Sequence, residues 1–156
     1  MRKEQEIRNR MYLDYCRELD RYSRCEHATS AADAAAVAGS YAETPGFEWI
    51  DIHAEDTREI CGFLIVGRDL SVHGKGLYIC EAYVSPEMRR NGLMAKAAGW
   101  VLREHDAPVY LEIYDRNEGA KMFWRKFFRN VGYIQSGLRM SGAGVPGLVE
   151  HTYERG

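Results

Sequence analysis

The spacing of apolar positions divides the chain into helical and strand-like stretches. Over residues 3–22 apolar side chains (Ile7, Met11, Tyr15, Leu19, Tyr22) recur near helical spacing with charge between them, which predicts an amphipathic helix. The polar stretch 23–29 reads as a loop. A Ser hydroxyl can satisfy an early backbone N–H, so Ser30-Ala31-Ala32-Asp33 is expected to open a second, Ala-rich helix that stops at Gly39. Three strand-like runs follow, over residues 47–53, 59–66 and 77–84. Their connections, residues 54–57 and 67–76, are short and polar and suit antiparallel hairpins.

At residue 92 the period becomes helical again and stays so to residue 104, with Leu93, Ala97, Trp100 and Val101 along one stripe. Pro108 ends the connection, and residues 109–114 read as a strand. Asp115-Arg116-Asn117-Glu118 has the form of a capping box, with Asp115 accepting at the helix start and Glu118 reaching back. The helix behind it carries Ala120, Phe123, Trp124 and Phe127 at i, i+3, i+4 and i+7. Residues 133–140 and 148–153 form a last strand pair across the Gly/Pro turn 142–147. The expected architecture is therefore one α/β domain over residues 1–156, a mixed, mostly antiparallel sheet of six to seven strands flanked by about four helices.

Composition narrows the function classes. With 46% apolar residues, 28% charged residues and a net charge of −2, the chain lacks the cationic surplus that phosphate-backbone binding favours. No apolar run approaches the ~20 residues of a membrane span, and the polar start lacks a secretory apolar stretch, so a cytoplasmic protein is expected. Cys16, Cys25, Cys61 and Cys80 form no metal-spaced set, Cys25-Glu26-His27 being the nearest approach, so no metal is expected. Reduced thiols in a reducing compartment follow.

The chemistry centres on Val84-Ser85-Pro86-Glu87-Met88-Arg89-Arg90-Asn91-Gly92-Leu93-Met94. A strand broken by Pro86, a loop of Arg, Asn and Gly, and then a helix start point several backbone N–H groups at one anion. Further on come Asn117-Glu118-Gly119-Ala120-Lys121-Met122-Phe123-Trp124 and Val131-Gly132-Tyr133. Together these resemble the GNAT superfamily of acyl-coenzyme A-dependent N-acyltransferases. Arg89, Gly92 and Met94 occupy the positions of its Arg/Gln-x-x-Gly-x-Gly/Ala loop. Asn117, Ala120, Phe123, Trp124 and Gly132-Tyr133 match its later Asn-x-x-Ala-x-x-Phe-Tyr helix and Gly-Phe strand start. Three departures stand out. Met94 replaces Gly or Ala, Trp124 replaces the Tyr that protonates the leaving thiolate, and a helix replaces the family's first strand, which leaves a sheet edge needing cover.

The resemblance implies acetyl-CoA as acyl donor and a primary amine as acceptor, with no nucleic acid or membrane partner and with homodimerisation allowed. It places Arg89, Arg90, Asn91, Gly92, Leu93 and Met94 against the coenzyme's pyrophosphate. Ala82, Tyr83 and Val84 would line the pantetheine arm through main-chain atoms where the fourth and fifth family strands part. Asn117, Ala120 and Phe123 would complete the coenzyme side, and Leu93 also reads as core. An amine near pKa ~10 must lose a proton before it attacks. Glu81, a lone acid in an apolar strand, is the first candidate base, with a salt-bridge role as its alternative. Asp51 and His53 are second candidates. His105 reads as a helix-end dipole partner, and His27 and His73 as loop residues. Trp124 has no acidic proton to give and is equally explained as core. No Cys sits beside a base in a nucleophile motif, so direct attack is expected. The rival reading is a catalytically silent protein of this fold that binds acyl-CoA or a protein. Acylation of aminoacyl-tRNA is disfavoured by the charge.

Overall fold

The run Cys61-Gly62-Phe63-Leu64-Ile65-Val66 has no polar face, and it becomes a strand covered on both sides. The computed structural model describes residues 2–23, 28–69 and 74–156; Cys25-Glu26-His27 and His73 lie outside the described residues. In chain order the elements are α1 (Arg2–Leu19), α2 (Ala31–Glu43), β1 (Phe47–His53), β2 (Ile60–Arg68), β3 (Leu77–Val84), a 3-10 turn (Pro86–Met88), α3 (Leu93–Leu102), β4 (Val109–Tyr114), α4 (Glu118–Asn130), β5 (Tyr133–Met140) and β6 (Leu148–Arg155). The strands form one sheet in the order β1-β2-β3-β4-β6-β5. Every neighbouring pair is antiparallel except β3 and β4.

Helices cover both faces. On one face Leu64, Val66, Leu77 and Ile79 pack with Val101, Trp124 and Phe128 of α3 and α4. On the other, Phe63, Ile65 and Tyr83 pack against Met11 and Tyr12 of α1 and Ala34 and Ala38 of α2. Among the described residues no strand precedes β1, which forms a sheet edge. Charge blunts that edge: Glu48 pairs with Arg68 at 3.9 Å and Asp51 with Arg8 at 2.5 Å. No helix among the described residues is long and apolar enough to cross a membrane.

Two features of β3 position the chemistry. Ile65 of β2 pairs with Glu81 while Val66 pairs with Ile79, so Cys80 is the extra residue of a β-bulge. Strict alternation would put Glu81 on the face of Ile79. The bulge turns it to the face of Cys80 and Tyr83, under α1 and α2. The second feature is Gly62, opposite the end of β3. A Cβ there would lie 2.4 Å from the Tyr83 carbonyl oxygen, so only glycine lets β2 run this close to Tyr83 and Val84.

Three local expectations are corrected. Helix α2 passes through Gly39 and ends at Glu43, because Gly39 keeps a helical backbone and Gly46 is the next glycine with positive φ. The N-cap of α4 is Asn117, whose side chain accepts from the Ala120 N–H, while Asp115 accepts from Lys121 at 3.2 Å. A two-residue shift in the cap follows from having two good capping residues close together. Trp100 of α3 is 54% exposed, and its ring lies 4.2 Å from the Arg103 guanidinium carbon. The buried stripe runs through Leu93, Ala98, Val101 and Leu102, rotated by about one residue from the expected one.

Candidate functional site

Parallel pairing of β3 with β4 covers only Leu77–Ile79 and Val109–Leu111. Beyond it β3 continues as a partner of β2 alone, through Ala82, Tyr83 and Val84. The two strands therefore part in the middle of the sheet, and a cavity lies to each side of the gap. One, of about 620 Å³, takes its floor from the end of β3 and its rim from the loop before α3. The other, of about 380 Å³, lies under α1 and α2 against β3 and β4. They share Tyr15, Leu19, Ala82, Asn117, Ala120 and Trp124, so they meet at the gap.

The larger cavity is rimmed by the loop that leads into α3. Arg90 and Gly92 have positive φ, 67° and 73°, which bends the loop into the start of α3. None of the backbone amides of residues 90–95 has an acceptor among the described residues, and the helix N-terminus adds its partial positive charge. The space beside Gly92 is open, so glycine is needed there for its backbone angle rather than for room. Of the coenzyme-side candidates, Ala82, Tyr83, Val84, Arg89, Arg90 and Gly92 line this cavity, as do Leu93, Met94, Asn117, Ala120 and Phe123. Asn91 does not: its side-chain amide donates to the Met88 carbonyl at 3.1 Å and braces the loop. Met94 also packs on the core, so its length is absorbed by the fold.

Arg89 is already engaged. Its guanidinium donates to both carboxylate oxygens of Glu18 on α1, at 2.8 and 2.7 Å, and its Nε donates to the Val84 carbonyl at 2.8 Å. The pair ties α1 to the loop, and an incoming phosphate would share or replace Glu18.

In the smaller cavity Glu81 accepts from the Tyr12 and Tyr41 hydroxyls, each at 3.3 Å, and Tyr15 also interacts with its carboxylate. Burial pushes its carboxyl up to about 7; the three tyrosines oppose that rise and Glu112 adds to it. Burial raises the tyrosines well above their ordinary range, so their protons stay on. Cys80 and Cys16 beside them are pushed up to about 12 and about 11 by burial, which keeps both as thiols. Asp51 and His53 stand apart from both cavities. The Asp51 carboxylate is held by Arg8 and by the Trp49 indole at 3.0 Å, and the exposed His53 faces the Arg58 carbonyl at 2.9 Å.

Sequence reasoning did not find Tyr12, Tyr41 or Glu112 and read Tyr15 only as part of an apolar stripe. A signal existed: a buried tyrosine hydroxyl needs a partner, and α1 carries two on its apolar face. Trp124 is buried among Phe123, Phe127 and Phe128, with ring centroids 4.9–5.9 Å apart. Trp124→Tyr is expected to destabilise the fold by about 1–2 kcal/mol through lost packing, with no gain in turnover. Thermal melting and steady-state rates on this variant check it, and a faster enzyme with an unchanged melting temperature would mean that an acid is wanted at this place.

Residues 9–133 match the Acetyltransferase (GNAT) family. No curated protein sequence matches the chain significantly. Among solved structures, an acetyltransferase from Thermus thermophilus superposes with TM-score 0.69 at 14% identity, over 96% of this chain and 90% of its own. A Corynebacterium glutamicum protein described as histone acetyltransferase HPA2 and related acetyltransferase gives 0.69 at 12% identity, covering 99% of this chain and 92% of that one. Spermidine N-acetyltransferase from Vibrio cholerae, solved with CoA and spermine, gives 0.63 at 12% identity, over 98% and 90%. Such likenesses speak for the fold, and the family match over residues 9–133 speaks for descent. This chain belongs to the GNAT acetyltransferase family.

Proposed function

We propose that the protein transfers the acetyl group of acetyl-CoA to a primary amine by direct attack. One observation carries this: two cavities of opposite character meet where β3 and β4 part, one rimmed by unpartnered amides and the other holding a carboxylate near neutrality. Residues 90–95 would bind the diphosphate, and the free edge of Ala82, Tyr83 and Val84 would take the amide-bearing arm. Acetyl-CoA supplies the acyl carbon and the thiolate leaving group.

Glu81 takes the proton of the attacking amine as the C–N bond forms and the C–S bond breaks. Its carboxyl near 7 makes a carboxylate available at neutral pH and leaves a base stronger than an ordinary Glu. Tyr12, Tyr15 and Tyr41 hold the carboxylate in place and keep bulk water from its oxygens. The thiolate takes its proton from solvent at the open gap. Protonated Cys16 and Cys80 speak against a thiol nucleophile. Free thiols at Cys16, Cys61 and Cys80 suit work in a reducing compartment such as the cytoplasm.

The Arg89–Glu18 pair favours a second reading, acyl-CoA binding without turnover, because it occupies the loop's inner guanidinium. Thiol release with acetyl-CoA over a panel of amines separates the two. The expected result is amine-dependent release whose kcat/KM rises with pH through about 7. In Tyr41→Phe a donor to the carboxylate is lost, so the Glu81 pKa climbs and the ascending limb moves to higher pH. Tight acetyl-CoA binding with no thiol release on any amine would establish the silent reading.

A further inference from the structure

The smaller cavity holds a second carboxylate that proton removal does not require. Glu112 of β4 lines it beside Glu81. The Tyr78 hydroxyl donates to one of its oxygens and the Ser141 hydroxyl to the other at 2.6 Å, so the group is fixed in orientation. Among the described residues no Lys, Arg or His lines this cavity, and hydroxyls donate to both glutamates. Each charge therefore works against the other, and Glu112 is among the causes that raise Glu81. Tyr15, Tyr41, Phe47 and Tyr114 bring aromatic rings to a wall that Leu19, Ile79, Leu111, Ile113 and Leu148 also line, and aromatic ring faces attract cations. A neutral or anionic acceptor would leave that arrangement uncompensated.

We propose that the acceptor carries a second cationic nitrogen, bound by Glu112 while the reacting amine lies at Glu81. The inference rests on the acetyl-transfer reading and names its substrate class: a diamine or a longer chain with amines at spacing. The division of labour follows from charge. The nitrogen that attacks must be neutral, so its hold on Glu81 is a hydrogen bond and a proton transfer. The far nitrogen keeps its proton throughout and can pair with Glu112 before and after the acetyl group moves. Glu112 is thus a specificity-determining residue rather than a base.

Steady-state kinetics with putrescine, a diamine, and butylamine, its monoamine counterpart, test this. The wild-type protein should prefer putrescine by about 10²-fold in kcat/KM, the scale of a partly buried charge pair. In Glu112→Gln the putrescine KM should rise by a similar factor with kcat within a few-fold, and the butylamine KM should stay put. Glu112→Asp, which keeps the charge, should recover part of the preference. Equal use of both amines by the wild type, or an unchanged putrescine KM in Glu112→Gln, overturns the subsite. Calorimetry with putrescine alone separates this from failure of the acetyl-transfer reading. Binding that Glu112→Gln removes, without thiol release from acetyl-CoA, supports the dication site and removes the reaction. Turnover of butylamine equal to that of putrescine does the reverse.

Discussion

Glu81→Gln is expected to lower kcat by about 10²–10⁴-fold while acetyl-CoA affinity stays unchanged. The side chain is the one carboxylate that the bulge of β3 turns into the cavity beneath α1 and α2, and Gln keeps its shape and its contacts with Tyr12 and Tyr41. What Gln lacks is the capacity to accept a proton, so the ascending limb of the pH–rate profile near 7 should vanish with the rate. A stability change should accompany the loss. The folded protein holds the Glu81 proton up to about 7, whereas an unfolded Glu releases it near ~4.3. The folded state therefore binds more protons between those values, and stability falls as pH rises through that window. Above 7 the full cost of the buried charge is present. Glu81→Gln should be more stable than the wild type at pH ~8, by on the order of 3–4 kcal/mol, and the gain should shrink towards pH ~4. Melting temperatures at the two ends check the sign. A wild-type-like profile in this variant would transfer the proton to solvent and leave Glu81 a structural role.

Gly92→Glu should abolish acetyl-CoA binding, by about 10²-fold or more, in a protein that still folds. Gly92 has φ 73° and nothing lies within 4 Å of the Cβ position, so a side chain there meets backbone strain and no collision. The strain costs about 1–2 kcal/mol, a tolerable fraction of a domain's stability. The new carboxylate, by contrast, stands among the unpartnered amides of residues 90–95 and would satisfy them in place of a phosphate. Gly92→Ala supplies the control, since it carries the same strain without the charge and should keep most of the affinity. Calorimetry on both variants decides the matter. Unchanged affinity in a folded Gly92→Glu protein would show that the loop does not cradle the diphosphate.

What the residues reveal locally and what they hide can be separated by range. The bounds of β1, β3 and β4 are those that alternation and turn residues predict, because each is set by neighbours two to four positions away. The loop from Arg89 to Met94 is legible for the same reason: a Pro, a run of polar residues and a Gly act on the backbone where they stand. Trp100 and the cap of α4 show where local signals mislead. A helical stripe drifts by about 100° per residue, so a shift of one position moves a tryptophan from core to solvent. At α4, Asp115 and Asn117 are both good caps, and only the backbone decides between them.

By itself the sequence determined the element order, a family-type loop between a strand and a helix, and an acid in an otherwise apolar strand. These are short-range properties of backbone and side chain, and they suffice to name the fold. Tertiary structure alone decided the surroundings of Glu81. The bulge at Cys80 comes from the register of β3 on β2, and it chooses the face on which Glu81 emerges. Three tyrosines from α1 and α2 reach Glu81 across up to 69 residues of chain, and Glu112 meets it only because β4 lies beside β3. The gap between β3 and β4 likewise exists because their pairing stops at Ile79 and Leu111. Such contacts depend on which layers pack together, and the burial that raises the Glu81 carboxyl is a property of the assembled layers that no single segment contains.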